Sequence, residues 1–388
     1  MKQITYPFPR LGIVGGGQLG KMLVQAASKL SIPVTVLDPS SSAPACVVTD
    51  KIVTAPFDDL QGYMSLARNC DVITVEREDI SILYLQSCID EGCQLFPSPD
   101  CLAILQDKFL QKQWLVDQNI PTCRFQNCDD PSLEVTNLFG YPLVQKAKQG
   151  GFDGRGVQVI RGPSDAGLLF QVPSILETVV DIEMELAVMV ARGQDGEVVV
   201  YPVTEMVFES KRNILDHLIV PARVSLEKQH AAQDLARHCV NSLKLVGLVG
   251  VELFLTKSGE LLVNEISPRP HNSGHYTIEA CQTSQYEQHI RAIMGWPLGS
   301  PELLCPAVMV NLLGEGQPGN PQIRGFREAM AMSGVFVHLY GKERVLPGRK
   351  MGHVVILDDD VERAISKALE VKSCLGIFGV LHDEGEKT

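Results

Sequence analysis

One stretch decides the fold: Val249-Gly-Val-Glu-Leu-Phe-Leu-Thr-Lys-Ser-Gly-Glu-Leu-Leu-Val-Asn-Glu-Ile-Ser-Pro-Arg-Pro-His-Asn-Ser-Gly-His275. Two apolar runs, 251–256 and 261–266, flank Lys257-Ser-Gly-Glu260, a pattern that predicts a β-hairpin with its glycine in the turn. Folding this hairpin about Ser258 brings Glu252 close to Asn264 and Glu265 on the adjacent strand.

Two carboxylates and an amide would then meet inside otherwise apolar sequence. Unpaired, such acids repel each other and resist burial. A hard cation resolves this conflict, and Mg²⁺ held by one or two carboxylates usually also takes substrate phosphates. The alternative is a pair of edge-strand acids that face water. Water-facing residues rarely sit between runs such as Val-Gly-Val and Leu-Phe-Leu, so the sequence favours the metal site at Glu252 and Glu265.

The composition is that of a globular protein with two or three domains. The chain has 388 residues, of which 45% are hydrophobic and 21% charged. No apolar run approaches the ~20 residues that span a membrane, and the start lacks a signal-peptide core. The net charge of −12, from 34 basic and 46 acidic residues, disfavours broad binding to nucleic acid. Eleven cysteines without CxxC spacing are expected to be reduced, which predicts a cytoplasmic protein.

The N-terminal segment predicts a βαβ unit. Residues 11–27 follow the order strand, glycine turn and helix, and 34–38 and 72–75 are further strands. Gly15, Gly17 and Gly20 match the dinucleotide fingerprint, and Asp38 follows Gly20 by 18 positions. Taken alone, this pattern supports an NAD-dependent dehydrogenase. The glycines only indicate that backbone N–H groups approach some phosphate, to which Gln18 can add a donor.

The middle of the chain carries a second phosphate-binding pattern. After the break at Phe96-Pro-Ser-Pro99 we predict one helix over 100–119, with Lys108 midway. A short strand ends at Lys146, and a basic, glycine-rich segment follows at 148–156. Such a segment suits a mobile flap over nucleotide phosphates, because its glycines permit close backbone approach and its cations neutralise charge. A surface hairpin with a generous turn is the alternative.

The remaining segments are less specific. Residues 174–180 form an apolar strand interrupted by Glu177, and the next strand places Asp181, Glu183 and Glu185 on one face. That face is either solvated or contributes an acid to a ribose. A helix is predicted over 229–245, followed by short strands at 307–312, 335–339 and 353–357 and a closing helix from Val361. Arg349-Lys350 lies in a glycine-flanked turn, a pair that normally only aids solubility.

These elements, taken in order, resemble the ATP-grasp enzymes, which ligate a carboxylate to a nucleophile through an acyl phosphate. Within that superfamily, four motifs are similar to those of the N5-carboxyaminoimidazole ribonucleotide synthetases: Gly15-Gly-Gly-Gln-Leu-Gly20, Gly150-Gly-Phe-Asp-Gly-Arg-Gly156, Asn264-Glu-Ile-Ser-Pro-Arg-Pro-His-Asn-Ser-Gly-His275 and Pro347-Gly-Arg-Lys-Met-Gly-His353. The resemblance covers nearly the whole chain, and its last two motifs are highly specific. It also implies that the glycine loop helps to hold a ribonucleotide substrate instead of NAD.

The resemblance implies an α/β (overall α+β) architecture with an ATP-grasp fold. A Rossmann-like domain would span 1–99, the ATP-grasp domain 100–297 with a lid subdomain at about 120–185, and a small β-rich domain 298–388. The implied enzyme is an ATP-dependent ligase of IMP synthesis. It joins bicarbonate to 5-aminoimidazole ribonucleotide through carboxyphosphate and releases ADP and phosphate. Mg²⁺, with Mn²⁺ as a possible substitute, would be the cofactor, and the protein would be a homodimer.

The resemblance also implies roles for individual residues. Glu252 and Glu265 would hold the metal. The ATP site would comprise Lys108, Lys146, Gly151, Phe152, Asp153, Gly154, Glu177, Thr178, Val179, Val180, Glu185, Asn264 and Glu265. The catalytic set around bicarbonate and the acceptor amine would be Arg155, Arg269, His271, Asn272 and Lys350. The aminoimidazole nucleotide would contact Gln18, Leu19, Glu76, Asp153, Arg155, Arg349 and Lys350.

Three positions depart from the family pattern, and two other functions compete. The flap has Phe152 where Tyr is usual, Glu76-Arg-Glu-Asp79 replaces Glu-Phe-Glu-Asn, and the hinge pair is Glu177-Thr178 instead of Glu-Glu. A different ATP-grasp carboxylate ligase would share the nucleotide site but would not predict the motif 347–353. A non-catalytic nucleotide-binding regulator would predict the loss of a metal acid or a flap cation, and both are present.

Overall fold

The computed structural model describes residues 6–151, 156–209 and 214–381. Its N-terminal part has five parallel strands: Leu11–Val14 (β1), Val34–Asp38 (β2), Ile52–Thr54 (β3), Val72–Val75 (β4) and Gln94–Phe96 (β5). They form one sheet in the order β3-β2-β1-β4-β5. The helices Gln18–Lys29 (α1), Leu60–Asn69 (α2) and Ile82–Asp90 (α3) connect them. Apolar side chains of α1 cover one face of the sheet and those of α2 and α3 the other.

A small antiparallel sheet follows in the chain. Its strands are Phe125–Cys128 (β6), Leu143–Ala147 (β7), Val157–Ile160 (β8) and Ser174–Thr178 (β9), in the order β6-β9-β7-β8. The helices Pro99–Leu105 (α4) and Lys108–Asp117 (α5) precede it, and Leu133–Phe139 (α6) packs against it. The prediction of a single helix over 100–119 is wrong. Asp107 adopts an extended backbone and caps α5 through the N–H groups of Phe109 and Leu110, which places Lys108 at a helix start.

The largest sheet contains eleven strands of the described chain: Ile182–Arg192 (β10), Val198–Val200 (β11), Thr204–Glu209 (β12), Ile214–Val220 (β13), Gly247–Thr256 (β14), Leu261–Ser267 (β15), Ala307–Gly316 (β16), Asn320–Arg324 (β17), Val335–Leu339 (β18), Lys350–Leu357 (β19) and Gly376–Val380 (β20). Its main path is β15-β14-β10-β12-β13-β16-β19-β18. The remaining helices are Leu226–Leu243 (α7), Thr277–Ala280 (α8), Gln285–Ile293 (α9), Phe326–Ala331 (α10) and Val361–Cys374 (α11). Strand β13 pairs directly with β16, so one sheet contains strands from both sides of the predicted domain boundary at 297/298. That boundary stays a prediction.

Short polar side chains start most of these helices. Eight helix N-caps are Ser or Asp residues whose side-chain oxygen accepts a backbone N–H of the first turn: Asp59, Ser81, Ser98, Asp107, Ser132, Ser225, Ser284 and Asp360. The apolar faces behind these caps then bury against the sheets. Helix α7, for example, covers β10 and β14 in one apolar cluster. No helix among the described residues has the length and apolarity needed to cross a bilayer.

Candidate active site

The predicted hairpin is confirmed, and its strands bring the two acids together. Glu252 of β14 lies directly opposite Glu265 of β15, and Gly259 turns the chain with a φ of +83°. Burial, and after it the charge of Glu265, raises the pKa of Glu252. Burial opposes the charged form of Glu265 too, but the Nζ atom of Lys108, 2.8 Å from Oε1, lowers the pKa of that carboxyl overall. Glu265 is therefore the acid of the pair that holds its negative charge, and Glu252 is the one that is more easily protonated.

The hairpin offers a metal ion the carboxylate oxygens of these two acids, with polar side chains beside them. Asn264 lies beside the pair, and its Nδ2 donates to Oε2 of Glu252 at 3.4 Å. Residues 6–151, 156–209 and 214–381 contain no cluster of three or more His, Cys, Asp or Glu side chains arranged to hold a metal ion. The described residues thus offer the pair Glu252 and Glu265, which suits a hard cation that takes its other ligands from phosphates and water.

A buried ion cluster lies next to the hairpin. Glu177 is only 3% exposed, and its two oxygens lie 2.7 Å from Nζ of Lys146 and 3.3 Å from Nζ of Lys112. Lys146 also donates to Oδ1 of Asn264 at 2.9 Å, so the cluster is joined to the hairpin. Burial alone would raise the pKa of Glu177, but Lys146 and Lys112 lower it to about 2. The carboxylate of Glu177 is therefore occupied by the two lysines, and its backbone groups are what remains for a ligand.

Lys112 was missed by the sequence analysis. It donates to the hydroxyl of Thr122 at 2.7 Å and to the carbonyl of Val263 at 3.2 Å, and its side chain is 3% exposed. One signal was available: Lys112 follows Lys108 by four positions, so both lysines leave the same face of α5.

The segment after β9 and the acid on β10 lie near this cluster. The N–H of Thr178 donates to the carbonyl of Arg124 at 3.0 Å, Val179 is 44% exposed, and Val180 is half-buried. Glu185 projects from the same face of the sheet as Glu252, since Ala187, two residues on, is the register partner of Glu252. Burial raises the pKa of Glu185 to about 7, and the charge of Lys146 offsets this only in part. This burial disfavours the alternative in which the side chain of Glu185 simply faces water.

The loop that follows β15 presents unsatisfied donors. Nδ2 of Asn272 and Nε of Arg269 are both buried without a hydrogen-bond partner. Arg269 lies 3.1 Å from the carboxylate of Glu78, a residue that was not predicted, in an ion pair that lacks hydrogen-bond geometry. His271 places Nε2 3.4 Å from Oε1 of Glu252, and its Nδ1 contacts the hydroxyl of Ser273 at 2.7 Å. Buried donors without partners are costly, and a small anion would satisfy them.

Two acidic side chains of the protein accept hydrogen bonds from the backbone N–H groups of the glycine loop, residues 15–20. Glu76 accepts the N–H groups of Gly17 and Gly20, both at 2.5 Å. Asp38 accepts the N–H of Gly16 at 2.8 Å. These amides and this acid are the groups that a bound dinucleotide would use, so the NAD-dependent dehydrogenase alternative is disfavoured.

Two predicted substrate residues flank this loop at the start of α1. Gln18 is partly exposed, whereas Leu19 is 7% exposed and packs in the apolar cluster behind α1. Only the backbone of Leu19 can therefore reach a ligand. Arg77 and Asp79, which depart from the family pattern, form an ion pair with each other, and Arg77 also stacks on the ring of Phe57.

The C-terminal turn approaches the loop 269–275. His275 is completely buried in that loop, and burial, together with the positive charge of Lys350, lowers its pKa. Arg349 donates from Nη1 to the carbonyl of Arg344 at 3.0 Å, and its own carbonyl accepts the N–H of Gly314. Lys350 thus lies within electrostatic reach of the loop.

One predicted part of the site cannot be placed. Phe152, Asp153, Gly154 and Arg155 lie outside the described residues. Gly151 is described and is half-buried.

Comparisons with known proteins agree along the chain. It matches the ribonucleotide synthetase preATP-grasp domain over residues 8–106, the ATP-grasp domain over 113–286, and the phosphoribosylaminoimidazole carboxylase C-terminal domain over 307–367. It is 39% identical over 365 residues to the N5-carboxyaminoimidazole ribonucleotide synthase of Bacillus subtilis, covering 92% of this chain and 93% of the relative. It is 40% identical to the phosphoribosylaminoimidazole carboxylase of Schizosaccharomyces pombe, covering 93% of this chain and 68% of that longer protein.

Solved structures show the same relationship. The N5-carboxyaminoimidazole ribonucleotide synthetase of Thermotoga maritima is 47% identical and superposes with a TM-score of 0.89, covering 96% of this chain and 100% of that one. The N5-carboxyaminoimidazole synthase of Aspergillus clavatus, in complex with ADP and 5-aminoimidazole ribonucleotide, is 33% identical with a TM-score of 0.86, covering 95% and 100%. The predicted fold class, the ATP-dependent ligase activity and the step of purine synthesis are confirmed, and the chain belongs to the N5-carboxyaminoimidazole ribonucleotide synthase family.

Proposed function

We propose that the chain carries out its family's reaction through the residues described above. ATP phosphorylates bicarbonate, and the resulting carboxyphosphate carboxylates the exocyclic amine of 5-aminoimidazole ribonucleotide. The observation that carries this assignment is the buried Nδ2 of Asn272, which has no hydrogen-bond partner and directly follows His271, whose Nε2 lies 3.4 Å from Glu252. A small oxyanion such as bicarbonate would accept a hydrogen bond from this donor. No second function has an observation in its favour.

ATP would bind between the two antiparallel sheets. Lys108 and Lys146 would contact its phosphates, and the backbone of Glu177, Thr178, Val179 and Val180 would pair with adenine. Glu185 would accept the ribose hydroxyls, a role that favours its charged form over the protonated one. The flap, to which Gly151 belongs, would cover the phosphates and exclude water from the hydrolysable carboxyphosphate.

Mg²⁺, or Mn²⁺ in its place, would be held by Glu252 and Glu265. The donor set supports this, because two acids that repel each other in a partly buried site gain from a shared cation. When bound, the ion would neutralise phosphate charge in the transferring group. Asn264 and Lys108 would hold the two carboxylates in place through the contacts already described.

The carboxylation would proceed in three steps. A bicarbonate oxygen attacks the γ-phosphorus and ADP leaves. The carbon–oxygen bond of carboxyphosphate then breaks to give phosphate and CO₂, whose carbon is attacked by the amine nitrogen. The phosphate released from carboxyphosphate accepts the amine proton. Arg269, His271 and Asn272 would bind the bicarbonate and the anion formed from it, because they combine positive charge with donors at one loop.

The aminoimidazole nucleotide would bind between the glycine loop and the C-terminal turn. Arg349 and Lys350 would supply positive charge, with Gln18 near the phosphate and the backbone of Leu19 beside it. Glu76 would lie near the sugar or base while it holds the loop. Asp153 and Arg155 complete this proposed set and lie outside the described residues. We also propose a homodimer in the cytoplasm, and the eleven free cysteines support a reducing compartment.

The test is ADP release by the purified protein with Mg-ATP, measured with and without bicarbonate and with and without 5-aminoimidazole ribonucleotide. We expect turnover to require both, with one phosphate released per nucleotide carboxylated. ADP release that ignores the nucleotide while ATP still binds would mean a different acceptor. ATP binding without turnover under any combination would instead indicate a regulator.

A further inference from the structure

Gln285, the first residue of α9, is a buried amide that the proposed reaction does not use. Its side chain is completely inaccessible to solvent, so it cannot touch a substrate. Its Oε1 accepts the N–H of His271 at 2.9 Å, and its Nε2 donates to the carbonyl of the same residue at 2.9 Å. The carboxamide thus pairs with the main chain of His271 in both directions, as a neighbouring strand would.

The surrounding loop is built around this contact. Nε2 of Gln285 also lies 3.1 Å from Nδ1 of His275, and the Gln285 N–H donates to the hydroxyl of Thr277 at 2.8 Å. A Cβ atom at Gly274 would stand 2.3 Å from Oε1 of Gln285, so only glycine fits there. The loop therefore passes over the carboxamide with no room to shift toward it.

The loop carries the donors proposed for bicarbonate. His271 reaches Glu252 at 3.4 Å from the same main-chain segment that Gln285 holds, and Asn272 with its unsatisfied Nδ2 is the next residue. Without the carboxamide the His271 N–H loses the Gln285 acceptor, while the carbonyl keeps the N–H of Gly274 at 3.0 Å, so the segment is held from one side only and can shift. A displacement of the His271 backbone would therefore carry both side chains away from the metal acids.

We propose that Gln285 is the positioning residue of the bicarbonate site: its carboxamide fixes the His271 main chain and thereby aims His271 and Asn272 at the reacting anion. This proposal rests on the proposed function, since it assigns a support to one of its subsites. It predicts an effect on bicarbonate use that does not extend to ATP.

The same helix offers a matched control. Gln288 is also completely buried, and it pairs with the main chain of Gly299 in the same two-way manner, at 2.6 and 2.7 Å. Gly299 belongs to no proposed subsite. Gln288→Met therefore removes the same kind of bonds from the same helix without touching the loop 269–275.

The experiment measures the KM for bicarbonate, the KM for ATP and kcat in CO₂-depleted buffer for the wild type, Gln285→Met and Gln288→Met. We expect Gln285→Met to raise the bicarbonate KM about 10-fold or more, because small displacements of reacting groups are costly, with the ATP KM within about twofold. Gln288→Met should leave both constants within about twofold of the wild type. If Gln285→Met does not fold, Gln285→Asn and Gln288→Asn form the deciding pair, since the shorter amide cannot span both main-chain groups.

The outcomes separate this inference from the proposed function. Wild-type ADP release that does not depend on bicarbonate would overturn the proposed function itself. Wild-type dependence with an unchanged bicarbonate KM in the Gln285 variant would overturn only the positioning role. Equal increases in the Gln285 and Gln288 variants would also overturn it, because the effect would then belong to the packing of α9.

Discussion

The charge of Glu177 should stabilise the fold and hold the ATP lysine at the same time. The pKa of this buried carboxyl is about 2, against an ordinary value of 4.5, because Lys146 and Lys112 outweigh the effect of burial. That difference corresponds to about 3 kcal/mol of stability at neutral pH. Glu177→Gln keeps the shape of the side chain and removes the charge. It should therefore lower the free energy of unfolding by about this amount and lower the thermal midpoint by about 4 °C, because the entropy of unfolding scales with the 388 residues of the chain.

The pH dependence of this effect has a definite sign. Because the pKa of Glu177 is lowered by folding, its contribution is complete above pH 4.5 and is lost as the pH falls toward 2. The thermal midpoints of the wild type and of Glu177→Gln should thus differ most at pH 6 to 7 and converge at acid pH. Circular dichroism melts at several pH values measure this directly.

ATP binding should weaken in the same variant. Lys146 would lose its partner at 2.7 Å and keep only Asn264 at 2.9 Å, so its ammonium would no longer be fixed for a phosphate. The control is Glu205→Gln, which removes a buried carboxylate paired with Arg223 at 2.7 Å in a part of the sheet without a proposed ligand. It should cost stability but leave the ATP KM unchanged. A Glu177→Gln protein that binds ATP like the wild type would refute the link between this anion and Lys146.

Three further predictions concern the ligands. Glu265→Gln should abolish ADP release with the fold intact, as judged by circular dichroism, because it removes a metal charge, whereas Glu260→Gln in the exposed turn of the same hairpin should be active; an active Glu265 variant would contradict the metal assignment. Lys350→Ala should raise the KM for 5-aminoimidazole ribonucleotide more than that for ATP, and equal increases would indicate that the turn is only structural. Because the pKa of Glu185 is about 7, ATP affinity should fall as the pH drops from 8 to 6, and Glu185→Gln should reduce that dependence in calorimetric titrations; the remainder belongs to Glu252, whose pKa is also about 7.

The hairpin and the start of α11 were predictable because their signals are local. The turn at Gly259 fixes the pairing of Leu253 with Val263, whereas a β-bulge then shifts the register by one residue, so that Glu252 faces Glu265 and not Asn264. Helix α11 begins at Val361 as predicted, directly after the capping residue Asp360. The periodic patterns of apolar residues that indicate strands and helices are visible within a short stretch of sequence.

The supports of the site were not predictable because their partners are distant in the chain. Lys112 contacts Glu177, and Arg269 contacts Glu78, across many intervening elements, and only the assembled fold brings them together. The sequence pattern at Gly15, Gly17 and Gly20 likewise gave no indication that Glu76 would accept the N–H groups of Gly17 and Gly20. The predicted continuous helix over 100–119 failed at Asp107, whose preference for a capping position outweighed the apolar periodicity around it.

The unbroken path of the largest sheet sets a limit on how the protein can be cut. A recombinant fragment that stops before Ala307 would lack β16, and β13 would become an open edge with unpaired N–H and carbonyl groups. Ile219, which is completely buried in one apolar cluster with β16 and α11, would lose that cover at the same time. Such an edge is a template for association between chains, so the fragment should aggregate. Shortened versions for crystallography or fusion should therefore keep the chain through the end of β20.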